Sequence, residues 1–252
     1  IMNIKIIAIV LTCGDRKEFL EKCLKSLLAQ TVLPEKFLVF DNASSDRTKS
    51  FLENYSSDRF IYYRSEENLA SAAYSRALRM AFEKYPDAWF FLADDDSELG
   101  PDTLEKLLQS PYFKKETAML TCKRVDIHGN IEKTERGFFN FLKLDMNPLP
   151  LEEYKKEAVS VGVSSFMGML INPEAIRKIG FPRDDYFLYW DDVEYCFRLR
   201  KYGEIILVPS SVIWHKEPRT SRQNLKTRFG ITLQRQAPEA FWRDYYGWRN
   251  LV

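Results

Sequence analysis

The stretch Ala88-Trp89-Phe90-Phe91-Leu92-Ala93-Asp94-Asp95-Asp96 joins six apolar residues directly to three carboxylates. A short apolar run of this kind reads as a strand buried on both faces, as in a parallel sheet. Three adjacent carboxylates at its end repel one another and are costly to bury unless something cationic sits among them. Hard oxygen ligands suit Mg²⁺ or Mn²⁺, and Mg²⁺ is commonly held by one or two carboxylates together with substrate phosphates. The competing reading is a solvated acidic turn.

The sequence on either side favours the first reading. Upstream, Ile4–Leu11 is another apolar, Ile-rich run, followed by the helical stripe Leu20, Leu24, Leu27 and Leu28. Phe37–Phe40 reads as a second strand ending in the polar turn 41–46, and Phe60–Tyr63 as a third. Ala73, Ala77, Leu78, Ala81 and Phe82 form a helix face that stops near Pro86. Strands alternating with helices indicate βαβ units and a mostly parallel sheet. The expected fold class is therefore α/β, a single Rossmann-like domain whose central sheet is flanked by helices. In such open sheets ligands bind beyond the carboxyl ends of the strands. Thr12, Asp41 and the Asp94–Asp96 run all fall at such ends, and this convergence argues against mere surface charge.

The second half is less regular. Ala118–Val125 and Phe166–Ile171 read as strands, and residues 136–157 as an excursion over the sheet. Asn172 is placed to cap, and Pro173 to start, a short helix ended by Gly180. A helix is expected over Asp191–Tyr202, stopped by Gly203, then a strand over Ile205–Val208. Its first turn carries Asp191, Asp192 and Glu194 behind the aromatic run Tyr186-Phe187-Leu188-Tyr189-Trp190. Helix capping and a Glu194–Arg198 pair explain part of this cluster. A charged Asp beside an aromatic wall is also able to act as a general base. His215 closes the apolar segment Val212-Ile213-Trp214; it reads either as a structural residue or as the completion of a metal site begun by the strand-end carboxylates. His128 sits in a turn and is assigned nothing.

Composition narrows the function classes. The chain has 252 residues, with Lys+Arg 37 against Asp+Glu 36, so bulk attraction to nucleic acid is not indicated. Cys13, Cys23, Cys122 and Cys196 lack CxxC spacing, which favours a reduced, cytoplasmic protein. Lys5 interrupts the apolar start, which reads as a strand rather than a signal peptide, and no apolar run reaches membrane-spanning length.

Taken in order, these motifs resemble the inverting glycosyltransferases of family 2, which have the GT-A fold. The residues that carry the likeness are Val10-Leu11-Thr12 with Arg16, Leu27 to Gln30, Asp41 to Asp46, Asn68-Leu69-Ala70 and Asp94–Asp96. The second half is similar to the bacterial galactofuranosyl- and rhamnosyltransferase branch. It contributes Phe166-Met167-Gly168, Ile179 to Pro182, Trp190 to Tyr195 with Arg198, Trp214-His215 and the segment Tyr245 to Asn250.

The resemblance implies Asp192 as catalytic base and Asp94, Asp96 and His215 as ligands of Mn²⁺ or Mg²⁺. It implies Thr12, Arg16, Asp41, Asn68, Asp95 and Trp190 on the donor side, and Trp190 and Asp191 on the acceptor side. It divides the single domain 1–252 into a nucleotide-sugar half (1–125), an acceptor and catalytic half (126–218), and a basic mobile loop with a C-terminal helix (219–252). Relatives often continue beyond the position of Asn250, so truncation is expected. The implied reaction is metal-dependent inverting transfer to a glycan or lipid-linked glycan acceptor in bacterial surface polysaccharide synthesis. UDP-galactofuranose is the first choice of donor and dTDP-rhamnose the alternative. A lipid-linked acceptor would bring peripheral contact with the inner face of the membrane. One departure stands out: Ala70-Ser71-Ala72-Ala73 replaces a Gly-rich stretch, which restricts φ. The competing functions are a sugar nucleotidyltransferase, whose Gly/Arg-rich first loop is missing at Leu11–Arg16, and a non-catalytic nucleotide-binding protein.

Overall fold

The computed structural model describes residues 4–44, 46–53, 55, 57–143, 145–217, 225–228, 231–234 and 249–250. In its first half, β1 (Ile6–Thr12), β2 (Lys36–Asn42), β3 (Phe60–Ser65) and β4 (Trp89–Asp94) alternate with α1 (Lys17–Leu28), α2 (Asp46–Glu53) and α3 (Ala72–Lys84). These strands pair in parallel in the order β3-β2-β1-β4. The period-two alternation of β1 supplies both faces of the core. Ile7 and Ile9 pack with Ala73, Ala77 and Leu78 of α3, while Ile6, Ala8 and Val10 pack with Leu20, Leu24 and Leu27 of α1. Buried Gln30 ties α1 to the chain beyond β4, donating to the carbonyl of Gly100 at 2.6 Å and accepting from Leu104 N–H at 3.1 Å.

Beyond β4 lie β5 (Ser97–Leu99), α4 (Thr103–Gln109), β6 (Thr117–Val125), β7 (Arg136–Asn140), β8 (Asp145–Pro148), β9 (Val159–Val161), β10 (Val163–Ser164) and β11 (Met169–Ile171). α5 (Pro173–Ile179), α6 (Asp191–Leu199) and β12 (Glu204–His215) follow. The main sheet continues β4-β11-β6-β12-β5, with β11 antiparallel to both neighbours and β5 antiparallel to β12. The sheet is thus mostly parallel but mixed, and helices cover both faces.

Three expectations are corrected. Residues 136–157, expected as an excursion over the sheet, carry strands of their own: β7 and β8 form an antiparallel hairpin within a small sheet of order β10-β7-β8. Only Met169–Ile171 of the run Phe166–Ile171 is strand, because Gly168, at φ +85°, turns the chain first. The strand read over Ile205–Val208 extends to His215. Its register against β6 breaks between Val208, paired with Cys122, and Val212, paired with Lys123. This bulge at residues 209–211 lets one strand serve β6 along its length and still set His215 opposite Ser97. The stretch 219–252, expected to be a basic loop and a helix, lies largely outside the described residues. Within it, Leu225–Arg228 and Ile231–Gln234 pair as antiparallel strands. Among the described residues no helix is long and apolar enough to cross a membrane.

Asn172 and Gly180 act as expected. The Asn172 side chain accepts from Glu174 N–H, Pro173 opens α5, and Gly180 closes it at φ +79°. Gly203 has a different task, since a Cβ there would lie 1.9 Å from the carbonyl oxygen of Glu116. We expect Gly203→Ala to part the starts of β6 and β12 and to cost about 2 kcal/mol or more in urea unfolding. An unchanged midpoint would show that the contact is dispensable.

Candidate active site

The site is built at the carboxyl edge of the parallel strands. Leu11 stands beside Asp94 and Thr12 beside Asp41 in register, so the ends of β1, β2 and β4 are level. The Asp94–Asp96 run turns directly into β5 and is not a solvated turn, for Asp95 and Asp96 are buried. Its charge is met from three directions. Arg16, at the start of α1, donates Nε to Asp95 Oδ1 at 2.8 Å and Nη2 to Asp96 Oδ2 at 2.9 Å. Its remaining nitrogen reaches Glu217 at 2.9 Å. Thr12 donates to the other Asp95 oxygen at 2.7 Å. His215 Nε2 lies 3.3 Å from Asp96 Oδ2.

The three carboxyls titrate differently as a result. Burial lifts Asp94 to about 6, helped by the charge of Asp96 and opposed by the Tyr74 hydroxyl. Burial lifts Asp95 to about 7 against the pull of Arg16 and Thr12. For Asp96 burial also acts upward, but the hydrogen bond and charge of His215, with Arg16, hold it below the usual carboxylate range. Burial lowers His215, yet its contacts with Asp96 and Glu132 outweigh this and take it up to about 9. A carboxylate–imidazole pair thus stands at the edge of the sheet.

Of the three expected metal ligands, Asp96 and His215 come together and Asp94 does not join them. Asp94 Oδ1 accepts from the hydroxyl of Tyr74, a residue of α3. Among the described residues no three His, Cys, Asp or Glu side chains form a group able to hold a metal ion. Two protein ligands still suit a hard cation that draws its other ligands from a diphosphate and water. Asp96 Oδ1 fits this need, being buried without a hydrogen-bond partner. An oxygen in that state is a standing cost that a cation would remove.

The expected nucleotide side is less open than the sequence suggests. Asp41 is fully buried, accepting from Ser44 N–H at 2.7 Å and from the Tyr62 hydroxyl at 2.6 Å. Asn68 accepts from Asn42 at 2.9 Å and from Ala70 N–H at 2.8 Å, fixing the loop before α3. In that loop Ala70 takes φ +48°, the region alanine disfavours.

The second acidic cluster begins α6. Tyr189 and Trp190 have φ of +64° and +67°, two consecutive left-handed residues that are not glycine. Such strain persists only where neighbours over-determine it. Here Asn250 donates to the carbonyls of Leu188 and Tyr189 at 2.8 and 2.9 Å, and Arg249 donates to that of Asp185 at 2.7 Å. Ser71 donates its hydroxyl to the Tyr186 carbonyl, so the start of α3 grips the same loop. The reversal presents Trp190 edge-on to Phe139, ring centroids 5.4 Å apart, and sets Asp191 and Asp192 half-buried in the first helical turn. Asp191 is lifted by burial to about 6, against its backbone hydrogen bonds and with help from the charge of Asp94. Asp192 is raised well above the normal range by burial and by the charges of Asp191 and Glu135. Glu194 pairs with Arg198 as expected, at 2.6 Å.

Four residues given no role from sequence prove central. Glu132 contacts His215 Nδ1 at 3.2 Å and is itself paired with Arg124. Tyr74 satisfies Asp94. Asn250 holds the strained turn. Arg136 is fully buried and donates to the carbonyls of Cys122, Glu135 and Met167 and to Ser165 Oγ, locking the hairpin to the sheet. A lone arginine in a loop-like stretch carries no signal of such burial. Glu132 was legible only as the kind of carboxylate that a ligating histidine usually engages through its second nitrogen.

Comparison with known proteins agrees with this fold. The chain is 26% identical over 227 residues to the N-acetylglucosaminyl-diphospho-decaprenol L-rhamnosyltransferase of Mycobacterium tuberculosis, covering 81% of this chain and 74% of that protein. Protein CgeD of Bacillus subtilis is 24% identical over 136 residues, covering 52% of this chain and 31% of its own length. Among solved structures, GalNAc-T7 with UDP, GalNAc and Mn²⁺ superposes with a TM-score of 0.68 at 15% identity, over 86% of this chain and 45% of that one. S. aureus TarS 1–349 in complex with UDP gives 0.60 at 16% identity, over 85% and 61%. The chain therefore spans about half the length of these structures, and at such identity they speak for the fold. The profile described as Glycosyl transferase family 2 matches residues 8–180. On that match, which takes in the strand-end carboxylates, the chain belongs to glycosyl transferase family 2.

Proposed function

We propose that this protein transfers a sugar from a nucleoside diphosphate to a hydroxyl of a lipid-linked glycan, with inversion at the anomeric carbon. The observation that carries the reading is the meeting of Asp96 and His215, 3.3 Å apart, beside an unpartnered buried Asp96 oxygen at the strand ends. Residues 1–125 form the nucleotide-sugar half in this reading and 126–218 the acceptor half. Asp96 and His215 would hold a divalent cation, which when bound supplies Lewis-acid neutralisation of the diphosphate charge.

The protein's own groups do the rest. Thr12 and Arg16 fix Asp95, which faces the donor. Asp41 and Asn68 shape the loops that would border its base and ribose. Trp190, held against Phe139, is a platform for the sugars. Asp192 takes the proton of the acceptor hydroxyl as that oxygen bonds to the anomeric carbon. The bond to the diphosphate breaks as this happens and its electron pair leaves with the nucleotide. A carboxylate whose charge is destabilised by burial is the stronger base once ionised. Asp191, beside it, faces the acceptor.

The relative of known activity favours rhamnose over galactofuranose as the sugar, so dTDP-rhamnose is the first donor to test and UDP-galactofuranose the second. Release of nucleoside diphosphate, rather than pyrophosphate, separates transfer from nucleotidyl transfer. Binding of a nucleotide sugar without turnover would instead support a non-catalytic protein.

Asp192→Asn is expected to lower turnover by about 10²-fold or more while leaving nucleotide affinity nearly unchanged. Near-normal turnover in that variant removes Asp192 from the role. His215→Ala is expected to weaken Mn²⁺ binding, read by the paramagnetic signal of the free ion. Glu132→Gln is expected to weaken it about 10–100-fold, because the imidazole loses its charged orienting partner. Identical Mn²⁺ titrations for both variants and the wild type would make this pair structural.

A further inference from the structure

The large apolar side chains left exposed on the described residues are unevenly distributed. Leu28, Leu33, Tyr63, Tyr112, Ile127 and Tyr189 lie elsewhere in the chain, whereas Phe138, Phe141, Leu142 and Leu151 fall on or just after the hairpin of β7 and β8. At its tip Leu142 is 98% exposed and Phe141 68%. The tip is nevertheless anchored. Asn140 Oδ1 accepts from Leu142 N–H at 3.0 Å and Lys143 N–H at 3.1 Å, and the ring of Phe141 stacks on Phe197 of α6 at 5.4 Å. Phe141 is thus held at one edge while Leu142 stands clear in solvent. Polar residues normally occupy hairpin turns, so an apolar tip calls for an apolar environment.

The tip is joined to the site. Phe139, on β7, packs edge-on against Phe141, Phe197 and Trp190, with centroids 5.1 to 5.9 Å apart. One aromatic cluster therefore connects the exposed tip to the residue preceding Asp191 and Asp192. No described helix crosses a membrane. An acceptor held in a bilayer by its lipid tail can be reached only if the acceptor side of the protein meets the lipid surface. Two adjacent exposed apolar side chains in a turn match a lipid interface better than they match a groove-binding helix or peptide. Between residues 133 and 157 basic and acidic side chains are equal in number, five of each, so the contact is apolar rather than electrostatic.

We propose that the β7–β8 tip, through Leu142 and Phe141, inserts into the headgroup–acyl boundary of a lipid bilayer and sets Trp190 at the membrane surface. The proposal rests on the lipid-linked acceptor reading given above. Insertion of this kind scales with buried apolar area and depends little on salt.

Flotation of the full chain with vesicles of phosphatidylethanolamine and phosphatidylglycerol, without donor or acceptor, tests it. Wild type should float at low and at high salt. Leu142→Asp should reduce vesicle partitioning at least about tenfold, as expected for losing one inserted leucine. Leu142→Trp should float as well as wild type or better, and Leu33→Asp, a distant exposed leucine, should float like wild type. Nucleotide affinity should be the same in all four proteins. The proposal is overturned if wild type stays with the soluble fraction, if Leu142→Asp floats normally, or if high salt abolishes flotation. A dimer lost on Leu142→Asp, with no flotation of wild type, would assign the tip to a second copy instead. Transfer from dTDP-rhamnose or UDP-galactofuranose to a lipid-linked acceptor dispersed in detergent, without vesicles, is measured separately: its absence would defeat the lipid-linked transferase reading while leaving the vesicle result standing.

Discussion

The crowding of three consecutive carboxyls, two of them buried, at the end of one strand is the constraint around which this protein is arranged. Left alone, Asp94, Asp95 and Asp96 would repel one another in a medium that solvates none of them. Each is met by a group from a distant part of the sequence. Tyr74 comes from α3, Arg16 and Thr12 from the end of β1 and the start of α1, and His215 from the end of β12. The sheet order serves this requirement. β1 lies directly beside β4, and the short β5 turns back to pair with β12, which carries His215 to Asp96. The compensation is incomplete, and the leftover demand sits on one Asp96 oxygen. The neutralising groups are thus spent unevenly across the three carboxyls.

A second charged chain runs behind the first. His215 meets Glu132, Glu132 meets Arg124, and Arg124 meets Glu135, next to the fully buried Arg136. The charges of Glu135 and Arg136 in turn act on Asp192. The two acidic clusters are therefore not independent. They are the ends of one series of charged side chains running from His215 through Glu132, Arg124 and Glu135 to Arg136. Removing a central member leaves an unpaired buried charge, which costs more than the pair contributes when intact.

The first half of the fold was legible because parallel strands buried on both faces leave continuous apolar runs, and Ile4–Leu11 and Ala88–Ala93 are such runs. The helix stripes were legible for the same reason, through their 3.6-residue period. The second half obeyed no single period. Strands of two to five residues, such as β7 to β11, are too short to show alternation, and the bulge in β12 divided one strand into two apparent fragments. Acidic residues at strand ends could be listed from sequence, but their partners could not, since Tyr74, Glu132, Arg136 and Asn250 are ordinary residues until topology places them. The Glu194–Arg198 pair was readable because it is local. The hairpin tip was passed over because Phe141 and Leu142 resemble core residues in a sequence and differ only in what lies around them.

Asn250 has one more effect, on timing. Tyr189 and Trp190 hold their left-handed backbone under contacts from a residue some sixty positions further along the chain. During synthesis the sheet, with Asp94 to Asp96 at its edge, can assemble well before that residue has left the ribosome. Until position 250 is translated, the turn ahead of Asp191 and Asp192 has the Ser71 hydroxyl and the ring of Phe139 against it but lacks the Asn250 amide. The last brace of the turn that starts α6 is thus a residue made after every strand of the main sheet.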